Sequence, residues 1–150
     1  MARGRYEVHG DAQTVSTAIT LLEITAPATA ALMISKIWVN QSSVTTSAQT
    51  RIRILRKTAT ITGTAAAPTP VPLGSDSASG TTVKWLATVE GTDGNVVVED
   101  SFNYLNGYIW QAISPDMRMV VAPSTILAIK FPAAPSSATF TFGMEFEEIS

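Results

Sequence analysis

Side chains able to move protons or hold metals are sparse in this sequence and poorly grouped. His9 is the single histidine and there is no cysteine. A Ser-His-Asp site would have to be built by the fold around one residue near the N-terminus, with no nearby Ser-Asp partner in sequence. One histidine cannot supply the usual zinc ligand set, and without cysteine there is no thiolate nucleophile and no disulfide. The 12 carboxylates are scattered. Glu99 and Asp100 are adjacent, but neighbours on a strand point to opposite faces and would not flank one bond. Asp93 lies in a segment without the oxygen-ligand spacing of a calcium loop, so it reads as a solvated turn acid. There is no phosphate-binding glycine motif, and Gly74-Ser75 lacks the strand-turn-helix setting of a nucleophile elbow. The expectation is a chain with no catalytic, cofactor-binding or metal residues, no small-molecule substrate and no enzymatic activity.

Two other groups of residues stand out. Phe102, Tyr104, Tyr108 and Trp110 place four aromatics within nine residues. Large amphipathic rings serve subunit interfaces and sugar-stacking platforms, but they serve cores equally well. The pair Asn106-Gly107 inside this segment predicts a tight turn. At the N-terminus, Arg3 and Arg5 stand next to Tyr6 and form a candidate arm that lies on a partner surface, where an ordinary terminus would fray.

Composition narrows the setting. The 150 residues suit one domain, and they carry only 15% charged residues against 45% hydrophobic. Average usage is nearer a quarter charged. Charge is depleted at the cores of interfaces, so a thinly charged surface points to assembly with itself or a partner. The net charge of −2 argues against nucleic acid, which wants a basic face. No apolar run reaches the length of a membrane span. The basic start Met1–Tyr6 lacks the apolar stretch of a secretory signal.

The elements that must position these residues are strands. Phe140, Phe142, Met144 and Phe146 alternate with Thr141, Gly143, Glu145 and Glu147, which puts the bulky apolar side chains on one face. Arg51, Ile52, Arg53 and Ile54 alternate as plainly, and Leu55 then joins the arginine face. Further strands are predicted at Thr20–Thr25, Leu32–Val39, Thr82–Thr88, Val96–Glu99, Tyr108–Ala112, Arg118–Val121 and Ile126–Phe131, with Tyr6–His9 as an edge strand. Thr92-Asp93-Gly94-Asn95 reads as a turn, with positive φ at Gly94. Pro132–Ser137 reads as the loop of a hairpin. The stretch Thr58–Gly80, with Pro68, Pro70 and Pro72 at alternate positions, reads as an extended surface loop, because proline lacks the donor a ladder needs. The expected fold is all-β, an antiparallel two-sheet β-sandwich of about eight to ten strands in a single domain. Residues 1–18 form an arm or edge strand, and residues 19–150 form the sandwich with its long loop at 58–80.

The layout resembles small jelly-roll decoration (cement) proteins of tailed bacteriophage capsids. The resemblance is carried by EITAPATAALMISKIWV (Glu23–Val39), RIRILR (Arg51–Arg56), APTPVPL (Ala67–Leu73) and the stretch Phe102–Glu148, and it spans most of the chain from Leu22 onward. It implies a homotrimer on the outer capsid surface of a virion, made in the host cytoplasm and bridging subunits of the major capsid protein. It brings no fixed functional residues. A second expectation, of a different class, is a receptor- or carbohydrate-binding jelly roll from a tail fibre or other virion appendage. In that case Tyr104, Tyr108 or Trp110 lies exposed in a groove or on a flat platform. A hydrolase built on His9 beside a carboxylate in a cleft ranks last.

Overall fold

The computed structural model describes residues 2–42 and 47–150, with Ala2 and Arg3 described by their backbone alone. Eleven strands occur among these residues: β1 (Ala2–Val15), β2 (Ile19–Thr25), β3 (Ala31–Gln41), β4 (Gln49–Ala59), β5 (Val71–Pro72), β6 (Thr82–Trp85), β7 (Thr92–Asn103), β8 (Tyr108–Gln111), β9 (Met119–Val121), β10 (Ile126–Phe131) and β11 (Ala138–Ile149). A single 3-10 turn, Pro115–Met117, joins β8 to β9.

The strands form two antiparallel sheets. Sheet A has the order β5-β1-β11-β3-β8, with β9 pairing the same β3, and sheet B has the order β6-β2-β10-β4-β7. Strands of the first half pair in reverse order with strands of the second. β4 meets β7, β3 meets β8 and β9, β2 meets β10, and β1 meets β11. The chain is thus a long antiparallel ribbon rolled up so that successive ribbon segments fall in alternate sheets. That winding is a jelly roll.

Period-two alternation fills the space between the sheets. On sheet A the inward row Val8, Met144, Ile37 and Trp110 crosses β1, β11, β3 and β8, and its first three members are fully buried. On sheet B, Leu22, Ile129 and Ile54 line up in the same way. Each such side chain contributes about 1.5–3 kcal/mol by leaving water. Aromatics close one end of this core. The Phe140 ring meets Phe131 edge-on at 5.2 Å and Tyr104 at 5.0 Å.

Three local expectations are corrected by the topology. β10 and β11 lie in different sheets, so Pro132–Ser137 is a crossover between layers and not the loop of a hairpin. Thr92–Asn95 belongs to β7, and the positive φ falls earlier, at Gly91 (31°). The 58–80 stretch is not wholly outside the ladder, because Val71–Pro72 pairs with Glu7 and Tyr6. Pro72 is tolerated because it sits at the sheet edge, where one missing donor breaks no central ladder. The Asn106-Gly107 turn is present, with Gly107 at φ 69° and its N–H donating to the Asn103 carbonyl at 3.2 Å. It connects the two sheets.

The long loop is fastened by a buried acid. Glu148 is fully buried, and its carboxylate accepts hydrogen bonds from the Ser79 hydroxyl (2.6 Å), the Gly80 N–H (3.1 Å) and the Thr81 hydroxyl (3.3 Å). Nearby, the Tyr6 hydroxyl donates to the Ser77 carbonyl at 2.7 Å. Removing the carboxylate orphans several donors at once. Glu148→Ala is expected to cost about 3 kcal/mol of folding stability and to make residues 71–81 the first site of limited proteolysis. An unchanged urea midpoint with an unchanged cleavage pattern would show that the loop is held by something else.

Candidate interaction surfaces

The aromatic cluster picked out by sequence faces inward. Phe102, Tyr104 and Tyr108 are all buried, and Phe102 stacks against Tyr104, Tyr108 and Phe131 with ring centroids 6.0–6.4 Å apart. Tyr104 donates its hydroxyl to the Ser136 carbonyl at 3.0 Å. Burial pushes both phenols above their ordinary value, and Asp100 adds to the effect at Tyr108. Trp110 is partly buried and packs against the core. Phe102, Tyr104 and Tyr108 are therefore core residues and do not form an exposed platform. They are inward because the tight turn at Gly107 carries the chain from sheet B to sheet A, and the rings on either side of it close the gap between the layers.

The proposed N-terminal arm divides in the same way. Residues 2–15 form a strand paired along its length with β11. Tyr6 is buried in the core, so it is not a contact residue of an arm. Arg5 points outward and its guanidinium reaches Glu145 at 2.9 Å. The side chain of Arg3 lies outside the described residues. His9 also points outward and is half exposed, with Nδ1 3.3 Å from Glu7 Oε1. This pair sits on an open sheet face and not in a cleft.

The outer face of sheet B is covered over β2 and β10 and open on its β4–β7 side, where Arg51 and Arg53 reach Glu99 in an exposed cluster. Glu23, Ala128 and Leu55 form an outward row across β2, β10 and β4, and all three are buried although they stand outside the inter-sheet cluster. The cover is the segment 60–62. Glu23 accepts hydrogen bonds from the Thr60 hydroxyl and from the Ile61 N–H (3.1 Å), while Lys84 Nζ donates to the Ile61 carbonyl (3.1 Å). Next to it, Lys57 and Lys130 each reach Asp93 at 2.7 Å. Glu90 accepts from the Thr20 N–H at 2.6 Å and lies 3.4 Å from Lys57. Burial alone would raise both acids. For Glu90 the Thr20 hydrogen bonds outweigh it, and for Asp93 the bonds from Lys130 and Lys57 do, so both carboxyls are held below their ordinary value. Among the described residues, no three His, Asp or Glu side chains are grouped to hold a metal ion.

The outer face of sheet A is bare. Two rows cross it. One runs His9, Gly143, Trp38, Ile109, and the next runs Glu7, Glu145, Lys36, Gln111. Glu7 and Glu145 are opposed like charges, which is unfavourable on a sheet. Arg5 on Glu145 offsets the repulsion, and His9 Nδ1 lies within reach of Glu7. Trp38 lies against Gly143, and a Cβ at 143 would run into its indole. Lys36 Nζ sits 5.1 Å from the centre of that ring. Sequence reasoning missed Trp38, because the register that sets it beside Gly143 is a property of the paired strands. The one available signal was Gly143 itself, standing among the outward residues of β11.

At the open edge of sheet A, beside β3, the β8–β9 stretch of the chain carries an apolar strip of four exposed side chains, spaced by polar residues in the sequence. Ile109, Ile113, Met117 and Val120 are exposed to 59%, 90%, 58% and 45%. A hollow of about 210 Å³ lies beside it, lined by Ser35, Ile113, Pro115 and Arg118.

Both depressed carboxyls make stability depend on acid. A carboxyl whose folded value lies below its unfolded value contributes fully above the unfolded value and loses that contribution as pH falls through the folded one. The Glu90→Gln, Asp93→Asn double variant is therefore expected to be less stable than the parent at pH 7 and to lose less on acidification below about pH 5. Urea midpoints measured across that range check this, and parallel pH curves for the two proteins would refute it. No family model, no curated protein and no solved structure matches the chain, so the jelly roll is identified by its strand order alone.

Proposed function

We propose that this chain is a structural assembly protein, a jelly roll that associates with copies of itself and coats a larger shell. The observation that carries the reading is the apolar strip on the β8–β9 edge. Ile113 is 90% exposed, and Ile109, Met117 and Val120 on the same β8–β9 stretch of chain are exposed as well, which is apolar surface that a thinly charged chain gains by covering. Jelly rolls recur in viral capsid and lectin domains, although a fold by itself sets no function. The resemblance to phage decoration proteins supplies the specific form. It is a homotrimer on the outer capsid surface that holds neighbouring subunits of the major capsid protein together. Three feet on one trimer bind a repeating shell far better than one foot alone. In the N-terminal segment the basic side chain of Arg5 points outward.

Light scattering on the purified chain at tens of micromolar is expected to give a single species of three chain masses. Ile113→Asp with Met117→Asp should return it to one chain mass with an unchanged far-ultraviolet circular dichroism spectrum. A monodisperse monomer from the parent sequence would remove the assembly reading. Failure of a trimer to co-sediment with undecorated phage heads would remove the capsid reading alone.

A further inference from the structure

Trp38, on the bare face of sheet A, is not itself one of the side chains that the assembly reading uses. It is partly exposed in the middle of the sheet, between Gly143 on β11 and Ile109 on β8. Gly143 offers no side chain, so the indole comes down onto the backbone of β11. Around it stand groups that donate and accept hydrogen bonds. Glu7, Glu145, Lys36 and Gln111 fill the adjacent row, His9 lies in its own row, and Asn40 and Thr141 pair on the far side.

We propose that this face binds a neutral saccharide, with one sugar ring stacked on Trp38. A pyranose ring presents an apolar C–H face and a rim of hydroxyls. The indole takes the apolar face. Carboxylates accept from the hydroxyls, while the ammonium of Lys36 and the amide of Gln111 donate to them. The charges decide the class of ligand. Two acids, Glu7 and Glu145, stand with two bases, Arg5 and Lys36, so the face carries no net charge to attract an ion. Arg5 already holds Glu145 at 2.9 Å and His9 already touches Glu7 at 3.3 Å. These acceptors are ordered before a ligand arrives, which lowers the entropy lost on binding. Lys36 sits over the ring on a flexible stem and has to swing aside to the rim, where a hydroxyl replaces the ring as its partner.

A purely structural role for Trp38, shielding the backbone at Gly143, predicts different behaviour. The test is a glycan array probed with the labelled full-length chain, with neutral and acidic oligosaccharides side by side, followed by NMR titration of the strongest hits. Binding to at least one neutral oligosaccharide is expected, weakened about tenfold or more by Trp38→Ala. Lys36→Ala and Glu7→Gln change only surface groups, and each should weaken the same binding several-fold without moving the thermal midpoint. The inference is overturned if no neutral oligosaccharide binds, if only acidic ones do, or if the affinity survives both Trp38→Ala and Lys36→Ala. Chain mass in solution reports on assembly and glycan binding reports on this face, so either can fail without the other.

Discussion

β11 sends Phe140, Phe142, Met144 and Phe146 into the space between the sheets, all essentially buried, while its backbone pairs with β1 on one side and β3 on the other. The last strand of the chain thereby joins the first to the third, and the roll closes on it. Burying that side-chain row requires a facing layer, and sheet B supplies one with Leu22, Ile129, Ile54 and Phe131. Period-two alternation then dictates the rest. Every residue between those four must point to the outside of sheet A, and so the bare face around Gly143, Glu145 and Glu147 is a direct consequence of the core.

The two outer faces meet different fates because of the loops. The connection from β4 to β7 is long enough to reach over part of sheet B, where Glu23 and Lys84 bind its 60–61 segment and Lys57 and Lys130 pair with its Glu90. Removing one partner of the buried Lys57 would leave an uncompensated charge. Part of the same connection, residues 71–81, turns to the edge of sheet A and is caught by Glu148. No segment crosses the middle of sheet A among the described residues. Its polar groups lie open, among them the Arg5–Glu145 ion pair, which contributes little to stability when exposed, and the His9–Glu7 contact.

The strip on the β8–β9 edge has a topological origin. β3 is long, and its edge is shared by two short strands with the 3-10 turn Pro115–Met117 between them. That break leaves Ile113 and Met117 on a connection with no layer above it.

Much of this molecule was legible in the residues alone. Alternation in Arg51–Ile54 and Phe140–Phe146 was enough for strands, because a side chain's face depends only on its own position in a pleated chain. Glycine and proline marked most of the breaks, since their φ preferences are local. What needed the tertiary structure was every property that depends on which strand lies beside which. The rings of Phe102, Tyr104 and Tyr108 turned inward because their turn crosses between layers. Tyr6 joined the core because β1 pairs with β11. Trp38 stands partly exposed on the outer face of sheet A, where register places it against Gly143. Strand pairing joins residues a hundred positions apart, and no local pattern of side chains encodes the register in which they meet.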